Sequence, residues 1–242
     1  MNWFYSKKYP LVLYVITLIV LGLSAIDVPY PEDFVLEHIM TVVFLVLLAA
    51  TYRWFRMSNI SYTLMFLFMM LHILGAHYTY SEVPYNSAIF NWTGFDVDQF
   101  FGFARNMYDR LVHFSFGLLF YYPAREVFNR FAETKGIWAL YFPLDLMAAL
   151  SMVYELLEYG IVLVYGADGV GATYLGSQGD IWDAQKDMFL ATLGAVITML
   201  IVAFINAKYN RGFWKEIKSS LKLKNARPLG EVTIQSWSDG EK

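Results

Sequence analysis

Six long apolar segments alternate with shorter polar stretches along the chain. Each segment is close to the ~20 residues that an α-helix needs to cross a bilayer. The segments cover residues 10–26, 34–52, 60–78, 107–122, 137–165 and 185–207. This pattern predicts an all-α, polytopic membrane protein in which residues 1–208 form a bundle of about six transmembrane helices. The fifth segment is long enough to tilt, and Pro143 within it predicts a kink.

The first apolar segment follows two lysines, as the core of a signal peptide would. Leu23 is a poor residue for a cleavage site in front of Ala25, so we expect a retained first helix.

The polar intervals differ in character. Residues 79–106 show no clear helical period and are rich in aromatic residues, which suits an interfacial loop or a short re-entrant segment. Residues 166–181 are rich in glycine and predict a loop. Residues 209–225 are basic with apolar residues on one helical face, and they predict either a surface helix on the inner leaflet or a solvated helix. We expect residues 226–242 to be disordered.

Composition agrees with a membrane protein. Hydrophobic residues make up 57% of the chain and charged residues 16%, which is more apolar and less charged than an average globular domain. The net charge of -3 does not favour nucleic-acid binding. The chain has no cysteine, which excludes disulfides, zinc–thiolate sites and thiol nucleophiles.

The basic residues predict the orientation. With six spans, all 18 lysines and arginines except Arg105, Arg110 and Lys186 fall on the side that holds both termini. By the positive-inside rule, that side is the cytoplasm.

Ionisable side chains collect near one level of the predicted bundle. Because the second, fourth and sixth helices enter from outside and the third and fifth end there, we place these groups in the outer third, at ~1.5 Å rise per residue. The set includes all four histidines of the chain. Its members are Glu37, His38, His72, His77, Asp109, His113, Glu155, Glu158, Asp180, Asp183 and Asp187. Charged groups in a membrane are costly, so their convergence predicts a functional site. Asp145 is the exception, nearer the inner side.

Two pairs in this set have both a structural and a functional interpretation. Asp109 and His113 are four residues apart on one helix face, so they can form a buried pair, or Asp109 can orient His113 as a metal ligand or general base. Glu155 and Glu158 are three apart and can share a proton or hold a cation, although this spacing is common by chance.

The two histidines of the third helix cannot both face the bundle. His72 and His77 lie about 140° apart around a helix, and we expect His72 to be the inward one. Glu37 stands in a first helical turn, where a carboxylate can simply complement the helix dipole.

Three aspartates share one face at the start of the last helix. Asp180 precedes the periodic stretch and is predicted to be its N-cap. Asp183 and Asp187 are followed by a fully apolar segment, so they are the stronger site residues.

Three stretches, YDRLVHFSFG, YELLEYG and GSQGDIWDAQKDMFLATLGA, occur in this order and with these gaps. They resemble the YjdF-like family of bacterial inner-membrane proteins, whose domain has no known function. The resemblance extends to about Lys208. It implies a location in the bacterial inner membrane and a fold type, and it supplies no reaction.

The same residues are more distantly similar to VanZ-like membrane proteins. That signature has an Asp and a His at the start of one helix, a later Glu, and a final helix opening with two aspartates. The matching residues here are Asp109, His113, Glu158, Asp183 and Asp187. The chain departs from the pattern at Ala191, where VanZ-like proteins usually have Asn.

Our first hypothesis is a membrane enzyme that uses a divalent metal ion to act on a lipid head group or lipid-linked envelope precursor. The predicted catalytic residues are Asp109, His113 and Glu158. The predicted metal ligands are His72, His113, Glu155, Glu158, Asp183 and Asp187.

Two alternatives remain open. The first is a proton- or cation-coupled transporter that uses the same residues, although the sequence shows no inverted repeat and places them at one face instead of the midplane. The second is a non-catalytic membrane scaffold with structural buried charges. The bilayer is the one firm partner, and the sequence does not fix the substrate or the oligomeric state.

Overall fold

The computed structural model describes residues 3–166, 169–224 and 228–238, and within these ranges the chain is all-helical. A 3-10 turn at Trp3–Tyr5 precedes the α-helices. Their bounds are α1 Tyr9–Ser24, α2 Pro31–Thr51, α3 Asn59–Tyr78, α4 Tyr85–Thr93, α5 Val97–Phe101, α6 Tyr108–Phe131, α7 Trp138–Tyr165, α8 Val170–Leu175, α9 Asp183–Tyr209, α10 Phe213–Ser220 and α11 Leu229–Ser238.

Six of these helices correspond to the six predicted apolar segments, which confirms the all-α membrane fold. By length and composition, α2, α3, α7 and α9 can each cross a membrane, and α1 is apolar but has only 16 residues. α6 has 24 residues and is more polar, with Asp109, Arg110 and His113 in its first two turns. Because α6 packs against α3, α7 and α9, it can carry these groups without exposing all of them to lipid.

Two glycines let α6 and α9 approach closely. A Cβ atom added at Gly117 would overlap the carbonyl oxygen of Ala191, and one added at Gly194 would overlap the carbonyl oxygen of Phe114. Small residues at a helix crossing allow this kind of backbone contact in membrane proteins. Ala191, the position at which the VanZ-like pattern has Asn, is fully buried in this crossing.

The remaining helices surround this centre. α1 packs on α3, and α2 packs on α3 more lightly and touches α8. α8 lies against α7, and α10 lies against α9.

α6 continues to Phe131, beyond the predicted segment 107–122. A proline inside a helix removes one backbone hydrogen bond and usually ends or kinks the helix, which is why we expected a stop at Pro123. Here the part beyond the proline is anchored, because both carboxylate oxygens of Glu126 accept hydrogen bonds from the backbone N–H of Ser58, at 2.8 and 2.9 Å. This tertiary contact outweighs the local signal.

The polar intervals contain more helix than their sequences indicate. The 79–106 stretch holds α4 and α5, which Asn86 ties together: its Nδ2 donates to Asp96 Oδ1 at 3.2 Å, and its Oδ1 accepts from the Val97 backbone N–H at 2.8 Å. The 166–181 stretch contains α8.

The C-terminal part also forms helices. α10 lies within the predicted surface helix 209–225, with Phe213 buried and both Lys215 and Lys218 exposed. Its position on a membrane surface stays a prediction. α11 forms where the sequence predicts disorder in 226–242, and residues 226, 227 and 239–242 of that stretch lie outside the described ranges.

Candidate functional site

Four ionisable residues from three helices form what we call the acid–histidine site: Asp109 and His113 on α6, Glu155 on α7, and Asp187 on α9. The Nε2 atom of His113 lies 3.5 Å from Asp109 Oδ1 and 3.6 Å from Glu155 Oε1. One potential ligand atom each from Asp109, His113 and Asp187 lies within 4.8 Å of the other two. The i, i+4 spacing on α6 supplies the first pair, and the close α6–α9 crossing brings Asp187 to it.

The site is buried but has unsatisfied oxygen atoms. Asp187 is 1% exposed and Glu155 is 8% exposed. Among the described residues, neither Asp187 Oδ1 nor Glu155 Oε1 has a hydrogen-bond partner. Buried polar atoms in proteins are nearly always paired, so two such oxygens next to an imidazole indicate room for a proton or a cation.

Arg110 closes one side of the site. Its guanidinium forms an ion pair with Asp187 Oδ2 and donates to Asp183 Oδ1 at 2.6 Å and to the Asp183 carbonyl at 2.8 Å. Arg105 also donates to Asp183 Oδ1, at 2.8 Å. Asp183 is therefore held by two arginines and lies at the edge of the site.

We did not predict Arg105 and Arg110 to be site residues. The available signal was Arg110 itself, which directly follows Asp109 at the start of a membrane helix. An arginine in such a position is a functional residue by default and needs an acidic partner.

The prediction that Asp180 is the N-cap of the last helix is wrong. α9 begins at Asp183, its N-cap is Trp182, and no side chain caps it. Asp180 instead accepts hydrogen bonds from Lys186 Nζ at 2.6 Å and from the Trp182 backbone N–H at 3.0 Å. These two hydrogen bonds lower the pKa of Asp180 to about 2.

The third helix contributes a second polar cluster. His72 is the buried member of its pair, while His77 is partly exposed and its Nδ1 lies 2.8 Å from the carbonyl of Ser24. Both ring nitrogens of His72 have hydrogen-bond partners. Nε2 lies 2.5 Å from Thr41 Oγ1, and Nδ1 lies 2.5 Å from the Tyr80 hydroxyl oxygen. His72 therefore lies outside the group of three potential ligands.

Tyr80 reaches His72 because the chain turns back sharply after α3. Thr79 and Tyr80 both adopt left-handed backbone conformations, with φ of 61° and 54°. The ring of Tyr80 packs over Gly75, where a Cβ atom would lie 2.6 Å from it. Burial raises the pKa of the Tyr80 hydroxyl well above its usual value, and the nearby negative charges of Glu37 and Asp109 add to the increase. This second cluster is therefore electrostatically connected to the first.

Three further residues of the predicted set are also buried, namely Glu37, Glu158 and His38, and the Nδ1 atom of His38 lies 2.8 Å from the carbonyl of Phe34. Glu37 is 4% exposed, and its Oε2 accepts a hydrogen bond from the Tyr154 hydroxyl at 2.9 Å, so it does more than complement a helix dipole. Glu158 is buried on α7, one turn from Glu155.

Residues 9–208 match the family model of predicted membrane proteins called DUF2238. The chain belongs to this family. It is 37% identical over 198 residues to the inner membrane protein YjdF of Escherichia coli (strain K12). The aligned region covers 81% of this chain and 88% of that protein. No solved structure matches the chain.

Membership of DUF2238 confirms the YjdF-like resemblance and supports a location in the bacterial inner membrane. The matched region contains every residue of the acid–histidine site and both arginines beside it. The more distant resemblance to VanZ-like proteins stays a prediction.

Proposed function

We propose that this inner-membrane protein is an enzyme that holds a divalent metal ion between Asp109, His113 and Asp187 and acts on a lipid head group or a lipid-linked envelope precursor. The observation that carries the proposal is the Oδ1 atom of Asp187. It is buried and unpaired among the described residues, and Asp187 supplies one of the three clustered ligand atoms.

The donor set fits a metal ion. Carboxylate and imidazole groups bind Zn²⁺, Mn²⁺ and Fe²⁺, with ligand atoms ~2.0–2.2 Å from the metal in zinc sites. Ligand atoms within 4.8 Å of one another can reach a common ion after small side-chain movements. Three protein ligands leave positions open for water and substrate, as catalytic sites require.

Charge balance also favours a cation. The guanidinium of Arg110 faces both Asp183 and Asp187, and Arg105 adds a second positive charge on Asp183. Asp109 and Glu155 have no such partner among the described ion pairs except His113. A metal ion on His113 would compensate these carboxylates.

The neighbouring residues receive distinct roles. Glu155, 3.6 Å from His113 Nε2, would be placed to act as a fourth ligand of the ion or as a general base. We assign Asp183 to the arginine ion pairs and His72 to the Thr41–Tyr80 cluster, so neither is a ligand in this proposal. Glu158 remains a candidate proton acceptor, one turn from Glu155.

The substrate class follows from depth. Asp109 and His113 lie in the first two turns of α6, and Asp187 lies in the second turn of α9. A site one or two turns below a helix end is at the level of lipid head groups, and it is far from the midplane position that a carrier would use. With both termini in the cytoplasm, as the basic residues favour, this end faces the periplasm.

The experiment is an assay of lipid turnover. The purified chain, loaded with Zn²⁺ or Mn²⁺, is incubated with a total lipid extract of bacterial membranes, and the lipids are compared by mass spectrometry. We expect a lipid species to be consumed by the loaded protein and not by Asp187→Asn or by protein treated with a chelator. An unchanged lipid profile with metal-loaded protein would contradict the enzymatic role.

A further inference from the structure

A groove of about 360 Å³ lies between α1, α2 and α3, away from the acid–histidine site. It runs along the first half of α1, the end of α2 and the start of α3, whereas Glu37 and His72 lie toward the other ends of α2 and α3. Its walls are almost entirely apolar, with side chains that include Leu13, Phe44, Leu48, Met65 and Met69.

The polar atoms along the groove are already bonded within the protein. The Tyr14 hydroxyl donates to the Leu45 carbonyl at 3.3 Å, and the Thr17 hydroxyl donates to the Leu13 carbonyl at 3.0 Å. The Tyr52 hydroxyl donates to a backbone carbonyl at the groove mouth at 2.9 Å. The groove therefore offers hydrocarbon surface and few free hydrogen-bonding groups, which fits an alkyl chain better than a polar ligand.

The mouth of the groove is positively charged. Lys7 and Lys8 line it, and both are exposed. In the described part of the chain, no acidic side chain forms an ion pair with either lysine. Arg56 adds a third positive charge nearby, since its Nη2 lies 3.4 Å from the carbonyl of Ser6. An apolar groove that ends in unpaired lysines matches a molecule with an alkyl chain and an anionic head.

We propose that this groove binds an anionic phospholipid of the leaflet next to the N-terminus, with one acyl chain between α1 and α2 and the phosphate group at Lys7 and Lys8. The site is separate from the proposed metal centre and does not depend on the enzymatic role. Since residues of both α1 and α2 line the groove, a bound lipid would fill the space between these two helices.

The test is lipid binding to the purified full-length chain, measured by native mass spectrometry. Phosphatidylglycerol and phosphatidylcholine with identical acyl chains are the probes, so that they differ in head-group charge. We expect phosphatidylglycerol to bind at least about fivefold more tightly, since a lysine near a lipid head group of net negative charge contributes about that factor, whereas the phosphate of phosphatidylcholine is balanced by its own ammonium group. Lys7→Gln combined with Lys8→Gln removes this preference and leaves phosphatidylcholine binding unchanged.

Two further variants separate the groove from general surface charge. Lys215→Gln combined with Lys218→Gln removes the same charge from the exposed side of α10 and should leave both affinities unchanged. Ala49→Trp fills the groove from an exposed wall position and should weaken both lipids. The proposal is overturned if the wild type shows no preference, if the preference survives in the Lys7/Lys8 variant, or if Ala49→Trp binds both lipids normally.

Discussion

Arg110 and Asp187 form a buried ion pair between α6 and α9 that uses only one oxygen of the carboxylate. Arg110 is 6% exposed and Asp187 is 1% exposed, so water does little to screen the interaction. The other oxygen, Oδ1, has no hydrogen-bond partner among the described residues. The pair thus joins the two central helices and holds an acidic group next to His113.

Removing this arginine should destabilise the protein strongly. Arg110→Gln leaves the buried charge of Asp187 uncompensated, while Asp183 keeps its ion pair with Arg105. Breaking a buried ion pair on one side costs about 3–5 kcal/mol. The free energy of unfolding in detergent, measured by denaturant titration, checks this value. Arg105→Gln is the matched control, because Arg105 is more exposed and Asp183 keeps its bond to Arg110. Equal losses in the two variants would mean that Arg110 has no special role.

The α6–α9 crossing should not tolerate a methyl group. Gly117→Ala places its Cβ on the carbonyl oxygen of Ala191, so the helices must separate, and overpacking of this kind costs about 1–3 kcal/mol. The control is Gly160→Ala on α7, where an added Cβ meets no atom within 4 Å. Thermal unfolding of both variants measures the effect. A melting temperature of Gly117→Ala equal to that of Gly160→Ala would show that the crossing is looser than described.

The ion pairs at the start of α9 should lose their stabilising effect in acid. The folded-state pKa of Asp180 is about 2, below its usual value of 3.8, so its contribution to stability is complete above pH ~4 and disappears as the pH falls toward 2. The difference in melting temperature between wild type and Asp180→Asn should therefore be constant from neutral pH to about pH 4 and should decrease toward zero at lower pH.

The partner residue provides the control for this pH dependence. The hydrogen bond from Lys186 is the main reason for the low pKa of Asp180. When Lys186→Met is present in both proteins, the melting-temperature difference caused by Asp180→Asn should be smaller, and it should reach zero at a higher pH. A difference that does not change between pH 7 and pH 2 would mean that Asp180 does not titrate as described.

Local signals predicted the helices well because hydropathy and length act within one segment. The extension of α6 past Pro123 could not be read in this way, since it depends on Glu126 accepting hydrogen bonds from Ser58, 68 residues earlier. The two short helices of the 79–106 stretch depend on contacts of Asn86 with the start of α5 that leave no helical period in the sequence.

The contrast between signals within one segment and contacts between distant segments also applies to the site. Asp109 and His113 were predictable together because their spacing alone places them on one face. The partners of Arg110 and His72 were not, because they depend on which helices meet and on the left-handed turn that returns Tyr80 to α3. Gly75 is consistent with that return, since the Tyr80 ring occupies the place that a side chain at this position would need.

Metal content of the detergent-purified protein, measured by elemental mass spectrometry, decides whether Asp109, His113 and Asp187 hold an ion. We predict about one transition-metal ion per chain in the wild type and in His77→Gln, whose histidine contacts the Ser24 carbonyl outside the site. We predict loss of most of this metal in His113→Gln and Asp187→Asn, while both variants remain helical by circular dichroism. A wild-type protein that binds no metal when Zn²⁺, Mn²⁺ or Fe²⁺ is supplied, or folded His113→Gln and Asp187→Asn variants that keep the metal, would contradict the proposed metal centre.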